Sequence, residues 1–217
     1  MSIAENIKHY QSQMPAQTQL IAVSKTKPIE DLQQAYDAGQ RLFGENKALE
    51  MRDKHEALPK DILWHFIGHL QTNKVKYIVP FVAMIHSVDS LKLLCEINKE
   101  AKKCGRVVDC LLQVDIAHEE TKFGMDDEQI EQLLISETFK ELENVRICGL
   151  MGIGSITDDM SQTQKEFHHL QELFERIKER FFQNKDSFKH LSMGMSHDYE
   201  VAISEGSTLV RIGSSIF

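Results

Sequence analysis

The sequence predicts a single-domain (β/α)8 barrel, on three observations. Eight short strand-like segments, most of them rich in Val, Ile and Leu, alternate with segments that read as helices, several with apolar residues recurring every three or four positions. That is the alternation of parallel strands with the helices that cover them. No Pro-, Gly- or Ser-rich linker divides the 217 residues, so the whole chain, residues 1–217, reads as one domain. Residues able to carry chemistry also collect at one place in the pattern. Lys25, Asn46, Gly68 and His69, Ser87, Asp115, Met151, Ser196, and Gly213 with Ser214 all fall at the C-terminal ends of the strand segments, where barrels build their active sites. A doubly wound open sheet shares the alternation and is the other architecture it allows.

The elements follow in order. Ile3 to Tyr10 is a short helix closing one end of the fold. Leu20–Lys25 is an apolar, β-branched strand that ends on a lysine. Pro28 presets the first turn of the next helix, carried by Ile29, Leu32, Ala35 and Tyr36 and stopped by Gly39. Arg41–Asn46 is the second strand, with a polar helix to about His55, and Leu63–Gly68 is the third, with a brief helix over Gln71–Ile78. The fourth strand is Val82–His86, with Ser87 or Asp89 placed to cap the helix of Leu91, Leu94 and Ile97. Arg106–Val114 is the fifth, its helix opened by the acids Asp126, Asp127 and Glu128. Val145–Met151 is the sixth, followed by a long amphipathic helix through Phe167, Leu170, Phe174, Ile177 and Phe181. Phe188–Met193, a helix over Asp198–Ile203, and Thr208–Gly213 complete the set.

Composition narrows the function classes. A net charge of -8 argues against a nucleic-acid footprint. The longest apolar runs fall short of a membrane span, and Met1–Asn6 has no basic-then-apolar signal pattern. Cys95, Cys104, Cys110 and Cys148 lack paired metal spacing and are expected to be reduced thiols in a cytoplasmic protein.

Lys25 sits where a strand stops and a helix begins. An amine part-desolvated there by barrel walls is suited to forming an imine with a carbonyl cofactor. On its own the stretch reads first as a surface lysine closing a strand. The far end of the chain changes this balance. Loops after the seventh and eighth strands of barrels often bind phosphate, and here they carry Ser196, Gly213, Ser214 and Ser215. Ser196 can also be read as a helix cap only, and Gly213 with Ser214 as a turn. Arg211 stands inside an apolar strand, so it must reach solvent, pair with an acid, or meet a ligand acceptor. His65 and His69 are four apart, but on a strand ending in glycine they do not share the face a zinc motif needs. The other histidines (His86, His118, His168, His169, His190, His197) are scattered and read as ordinary.

Trp64–Lys74, with the sequence WHFIGHLQTNK, is the most specific segment of a wider resemblance. With Ala22–Thr26, Phe43–Asn46, His86–Asp89, Leu191–Ser196 and Val210–Gly213 it resembles the pyridoxal phosphate homeostasis proteins, relatives of the alanine racemase N-terminal barrel. The resemblance implies that fold. It implies pyridoxal 5'-phosphate held as a Schiff base on Lys25, with Ser196, Gly213 and Ser214 at the phosphate, Arg211 facing the pyridine nitrogen and Asn46 near the ring. Some positions depart from the usual pattern: Lys47 where an aromatic is common, Asp115 for asparagine, Gly154 for proline, and His197 for a small or acidic residue.

An arginine is always charged and only donates, so it cannot easily supply a proton to the ring nitrogen, and the bound ring is expected to be a weak electron sink. The sequence also stops at Phe217, directly after the last strand, with no room for the second domain that gives racemases their second base. Two functions follow as expectations. One is a non-enzymatic monomer that buffers pyridoxal phosphate or delivers it to apo pyridoxal enzymes. The other is an amino-acid racemase completed by a partner or an oligomer.

Overall fold

A computed structural model of the chain describes residues 2–117 and 123–217. Its strands are β1 (Gln19–Val23), β2 (Leu42–Glu45), β3 (Leu63–Phe66), β4 (Met84–Val88), β5 (Val108–Val114), β6 (Val145–Gly152), β7 (His190–Ser192) and β8 (Leu209–Ile212). All pair in parallel in the order β1 to β8, and β8 returns to β1 to close the barrel. The open-sheet alternative is therefore excluded. The covering helices are α1 (Ile3–Gln13), α2 (Ile29–Asp37), α3 (Ala48–Ala57), α4 (Leu91–Lys103), α5 (Asp127–Ile135), α6 (Glu137–Lys140), α7 (Met160–Phe181) and α8 (Tyr199–Ser204), with a 3-10 helix over Thr72–Tyr77. None of the described helices is long and apolar enough to cross a membrane. His118 lies outside the described residues.

Two apolar cores follow from the strand period of two. One lies between barrel and helices and includes Trp64, Phe43 and Phe66 of β2 and β3 as well as the buried stripe of α7 at Phe167, Leu170, Phe174 and Ile177. The other contains Ile21, Met84, Leu111, Cys148, Met151 and Leu209, all from strands. Only the barrel interior brings such a set together. The four thiols are free.

Boundaries shift where local chemistry competes with the apolar pattern. The fourth strand starts at Met84 rather than Val82, because Val82 serves the loop: its N–H donates to the Ile78 carbonyl and its own carbonyl accepts from Arg106 Nη2. Neither Ser87 nor Asp89 caps α4; both precede the turn, and Ser90 accepts from Leu93 N–H at 3.3 Å. Pro28 is the N-cap of α2 rather than a residue of its first turn. The seventh strand keeps only His190–Ser192. At the start of the chain, Ser2 and Glu5 form a capping box that carries α1 on to Gln13.

Gly149 marks a bulge. The β5–β6 register passes from Cys110 opposite Ile147 to Leu111 opposite Gly149, leaving Cys148 as the extra residue. Gly149 has φ 150°, and a Cβ there would overlap the His190 carbonyl oxygen of β7. Gly105 also has positive φ, 63°, but open space around it. Gly149→Ala is expected to lower unfolding free energy by at least about 2 kcal/mol, against about 1 kcal/mol for Gly105→Ala. Equal urea midpoints for the two variants would contradict the bulge account.

Candidate cofactor site

A cavity of about 330 Å³ opens at the C-terminal mouth of the barrel, within the size range of small-molecule sites. Its lining includes all six residues singled out from the sequence: Lys25, Asn46, Ser196, Arg211, Gly213 and Ser214. His197, one of the departures from the resembled pattern, is on its rim. Met151, Ser87, His69 and Asp115 do not line it. Met151 is in the interior core, Ser87 is buried in β4, and His69 pairs with Asp89 at 3.2 Å and stacks on Phe123. His65 and His69 thus go to different environments. A larger groove between α4 and α5 is lined by the acids Asp89, Asp126 and Glu128 together with Ser90, Gln129 and Gln132.

Lys25 lies two residues beyond the end of β1, in a turn whose next residue, Thr26, holds φ 63°. A non-glycine residue in that region is strained, and a buried ion cluster holds it there. Glu50 Oε1 accepts from Thr26 N–H at 2.6 Å. Lys54 Nζ donates at 2.7 Å to Glu50, to Glu45 and to the Ser24 carbonyl. Ser24 Oγ donates to Glu45 at 2.6 Å. Burial raises the Glu45 carboxyl pKa despite Lys54 and Ser24. The less buried Glu50 is lowered, because Lys54 and Thr26 N–H outweigh its own desolvation. Lys25 itself is exposed on the cavity wall, so the barrel does not desolvate it as expected from sequence. Among the described residues it has no hydrogen-bond partner, whereas Lys27 donates to the Phe217 carbonyl at 3.1 Å and Lys54 has three acceptors. Lys25 is the uncommitted amine of the three.

The neighbouring part of the mouth, built by the ends of β7 and β8, carries hydroxyls. Ser196 Oγ lies 3.5 Å from both Ser214 Oγ and Ser215 Oγ. The cap of α8 is Asp198, which also accepts from Met195 N–H at 2.5 Å, so Ser196 is not the helix cap. Gly213 does start the final turn, accepting from Ile216 N–H at 2.8 Å. It also lets β1 close up: a Cβ there would sit 2.8 Å from the Val23 carbonyl oxygen. Asn46 Oδ1 is buried without a hydrogen-bond partner among the described residues. The backbone of Asn46 fills the space a Cβ of Gly68 would need.

Arg211 is 4% exposed and, among the described residues, forms no ion pair, so it takes neither the solvent nor the acid the sequence allowed it. It donates from Nη1 to Ser192 Oγ at 2.6 Å and from Nη2 to the Gly152 carbonyl at 3.0 Å, both neutral. Desolvation lowers its pKa to about 10, with Asp198 opposing, so it stays charged at neutral pH. Behind it lies a feature missed in the sequence. His86 Nδ1 is 2.9 Å from Ser192 Oγ, and His86 Nε2 is 2.8 Å from His65 Nδ1. These histidines are scattered in sequence and joined inside the barrel. Burial pushes His65 down to about 3 and His86 well below its ordinary value.

A free amine, a cluster of hydroxyls and a buried guanidinium suit a ligand with a carbonyl, an anionic group and a further acceptor. The comparisons agree. The sequence profile of the alanine racemase N-terminal domain family matches residues 1–217. The pyridoxal phosphate homeostasis protein of Aquifex aeolicus is 43% identical over 199 residues, 91% of this chain and 85% of the relative. That of Helicobacter pylori strain 26695 is 41% identical over 202 residues, 91% of this chain and 86% of the relative.

This chain belongs to the pyridoxal phosphate homeostasis protein family.

Among solved structures, PipY of Synechococcus elongatus with pyridoxal phosphate bound is 35% identical, covers 100% of both chains and has a TM-score of 0.89. An alanine racemase from E. faecalis is 14% identical with a TM-score of 0.74, and this chain spans 57% of it, a likeness of fold alone.

His65 and His86 give the family member in hand a pH signature. Their folded pKa values lie below the unfolded one, so the unfolded chain binds more protons below about pH 6.5. Their stabilising contribution is complete above that pH and is lost as pH falls. Urea titrations from pH 6.5 to 5 should show unfolding free energy falling by up to about 1.4 kcal/mol per pH unit for each histidine. His168, raised by its hydrogen bond to Glu205, acts in the opposite sense but is exposed. A flat profile over that window would show that the two imidazoles are protonated in the fold.

Proposed function

We propose that residues 1–217 form one cytoplasmic binding domain that holds pyridoxal 5'-phosphate as a Schiff base on Lys25 and buffers it or hands it on to apo pyridoxal enzymes. The observation that carries this is the uncommitted Lys25 amine in one cavity with the Ser196 and Ser214 hydroxyls and the buried Arg211. When bound, the cofactor supplies an aldehyde that condenses with an amine, losing water, and a ring that withdraws electrons.

The residues divide the work. Ser196 and Ser214 donate hydroxyls, and Gly213 lets the backbone approach, at the phosphate. Asn46 offers its side chain toward the ring. Arg211 places N–H groups at the ring nitrogen, satisfying it as an acceptor and leaving no acid there to protonate it. Withdrawal of electrons by the ring is then weak, and loss of the α-proton from an amino acid gains little stabilisation. Binding that does not favour the transition state over the ground state is not catalysis. The working unit in this reading is a monomer.

The competing function, an amino-acid racemase completed by a partner or oligomer, shares the binding site and differs in turnover. Loaded protein is to be incubated with an apo pyridoxal enzyme and, in parallel, with L- and D-alanine in heavy water. The expected outcome is activation of the apo enzyme with deuterium entering Cα far more slowly than typical turnover, roughly 1–10³ per second. Exchange within that range would establish the racemase instead.

A further inference from the structure

The interior of a (β/α)8 barrel is ordinarily filled by branched apolar side chains, and one part of this interior follows that rule. Another part does not. His65 on β3, His86 on β4, Ser192 on β7 and Arg211 on β8 are each at most 5% exposed and are joined end to end by contacts of 2.6–2.9 Å. Strands β4 and β7 are not neighbours in the barrel, so the bond from His86 to Ser192 crosses its interior.

The direction of this chain is fixed at one end. Arginine only donates, so Ser192 Oγ accepts from Arg211. Among the described residues the one acceptor recorded for the Ser192 proton is His86 Nδ1. The neutral His86 ring then carries its proton on Nε2 and donates to His65 Nδ1, leaving the His65 proton on Nε2. Charged and titratable groups flank both ends: His190 and Asp109 near His65, and Asp198 near Arg211.

We propose that Ser192, His86 and His65 are positioning residues, a one-way hydrogen-bonded strut that holds the Arg211 guanidinium against the cofactor without neutralising it. This rests on the reading of Arg211 given under Proposed function. A carboxylate in place of Ser192 would pair with the guanidinium and cancel its charge. A hydroxyl satisfies the same N–H, and its own proton is drawn away by His86, which strengthens it as an acceptor. The guanidinium N–H groups not taken by Ser192 and the Gly152 carbonyl keep their full pull on an acceptor in the cavity. Apolar residues would fill the interior equally well, so the chain of three polar groups is accounted for by the cation it serves.

The test is a mutant cycle read by absorbance titration with pyridoxal phosphate, with thermal unfolding of each variant alongside. Ser192→Ala should weaken binding about tenfold, and His86→Leu by a smaller factor in the same direction. The double variant should be no weaker than Ser192→Ala, because His86 acts through Ser192. Ser192→Thr keeps the hydroxyl, and His86→Asn keeps an acceptor near the Nδ1 position; both should recover most of the affinity. Nitrogen-15 NMR of the unaltered protein provides a readout independent of variant folding, expected to show unprotonated Nδ1 on His65 and His86. A proton on His86 Nδ1, or additive losses in the double variant, would overturn the strut. Ser192→Ala at full affinity with Arg211→Ala weakened would also overturn it while leaving the site intact. Full affinity in Arg211→Ala would overturn the assignment of Arg211 itself.

Discussion

Pairing of the first strand with the last is the constraint on which the site depends. Gln19 to Ala22 lie opposite Leu209 to Ile212 in register, and this closes the barrel. Residues adjacent to the two paired strands then share one wall of the mouth, although nearly the whole chain separates them. The contact is close enough to require glycine, since a side chain at 213 would press on the Val23 carbonyl. One residue of slip in β8 would turn Arg211 away from the interior while Ile21 stayed inside, because side chains alternate faces along a strand. Lys25, Ser214 and Arg211 meet because this register is fixed.

Two cations near the site are handled in opposite ways. Lys54 is buried among Glu45, Glu50 and the Ser24 carbonyl, so its charge is spent on structure. Breaking such a cluster by removing one partner typically costs about 3–5 kcal/mol, and the same groups hold the strained turn of Thr26. The cluster is thus a scaffold for its neighbour Lys25, which has no such commitments. Arg211 is as deeply buried but is given only a hydroxyl and a carbonyl. Its charge stays available to the cavity. The contrast between a neutralised lysine and an un-neutralised arginine separates what supports this site from what faces a ligand.

Much of this was legible in the sequence. Apolar runs with β-branched residues located most of the strands, because parallel strands covered on both faces tolerate little else, whereas β2 and β7 carry no β-branched residue and were placed by the alternation. Strand ends then pointed to Lys25, Asn46 and the Ser196–Ser214 wall. The His86 chain was not legible. All five residues of β4 are buried, so burial alone does not say which of them face the interior and which face the helices. Ser192 lies 106 residues from His86, and no local pattern links them. The buried state of Lys54 was equally hidden, since α3 is polar on most of its surface and carries no clear apolar stripe. Arg211 was recognised as anomalous, but its neutral partners depend on a contact with Gly152 at the end of β6 that only closure of the barrel creates.

The central claim is that one particular amine at the barrel mouth takes the cofactor. Borohydride reduction of the protein after incubation with pyridoxal phosphate, followed by peptide mapping, tests it directly. Lys25, Lys27 and Lys54 lie close together but differ in what holds them, and only Lys25 has no acceptor among the described residues. The account predicts a single reduced adduct on Lys25, with loss of the visible absorption band on reduction. An adduct on Lys27 or Lys54, or none on any lysine, would contradict it.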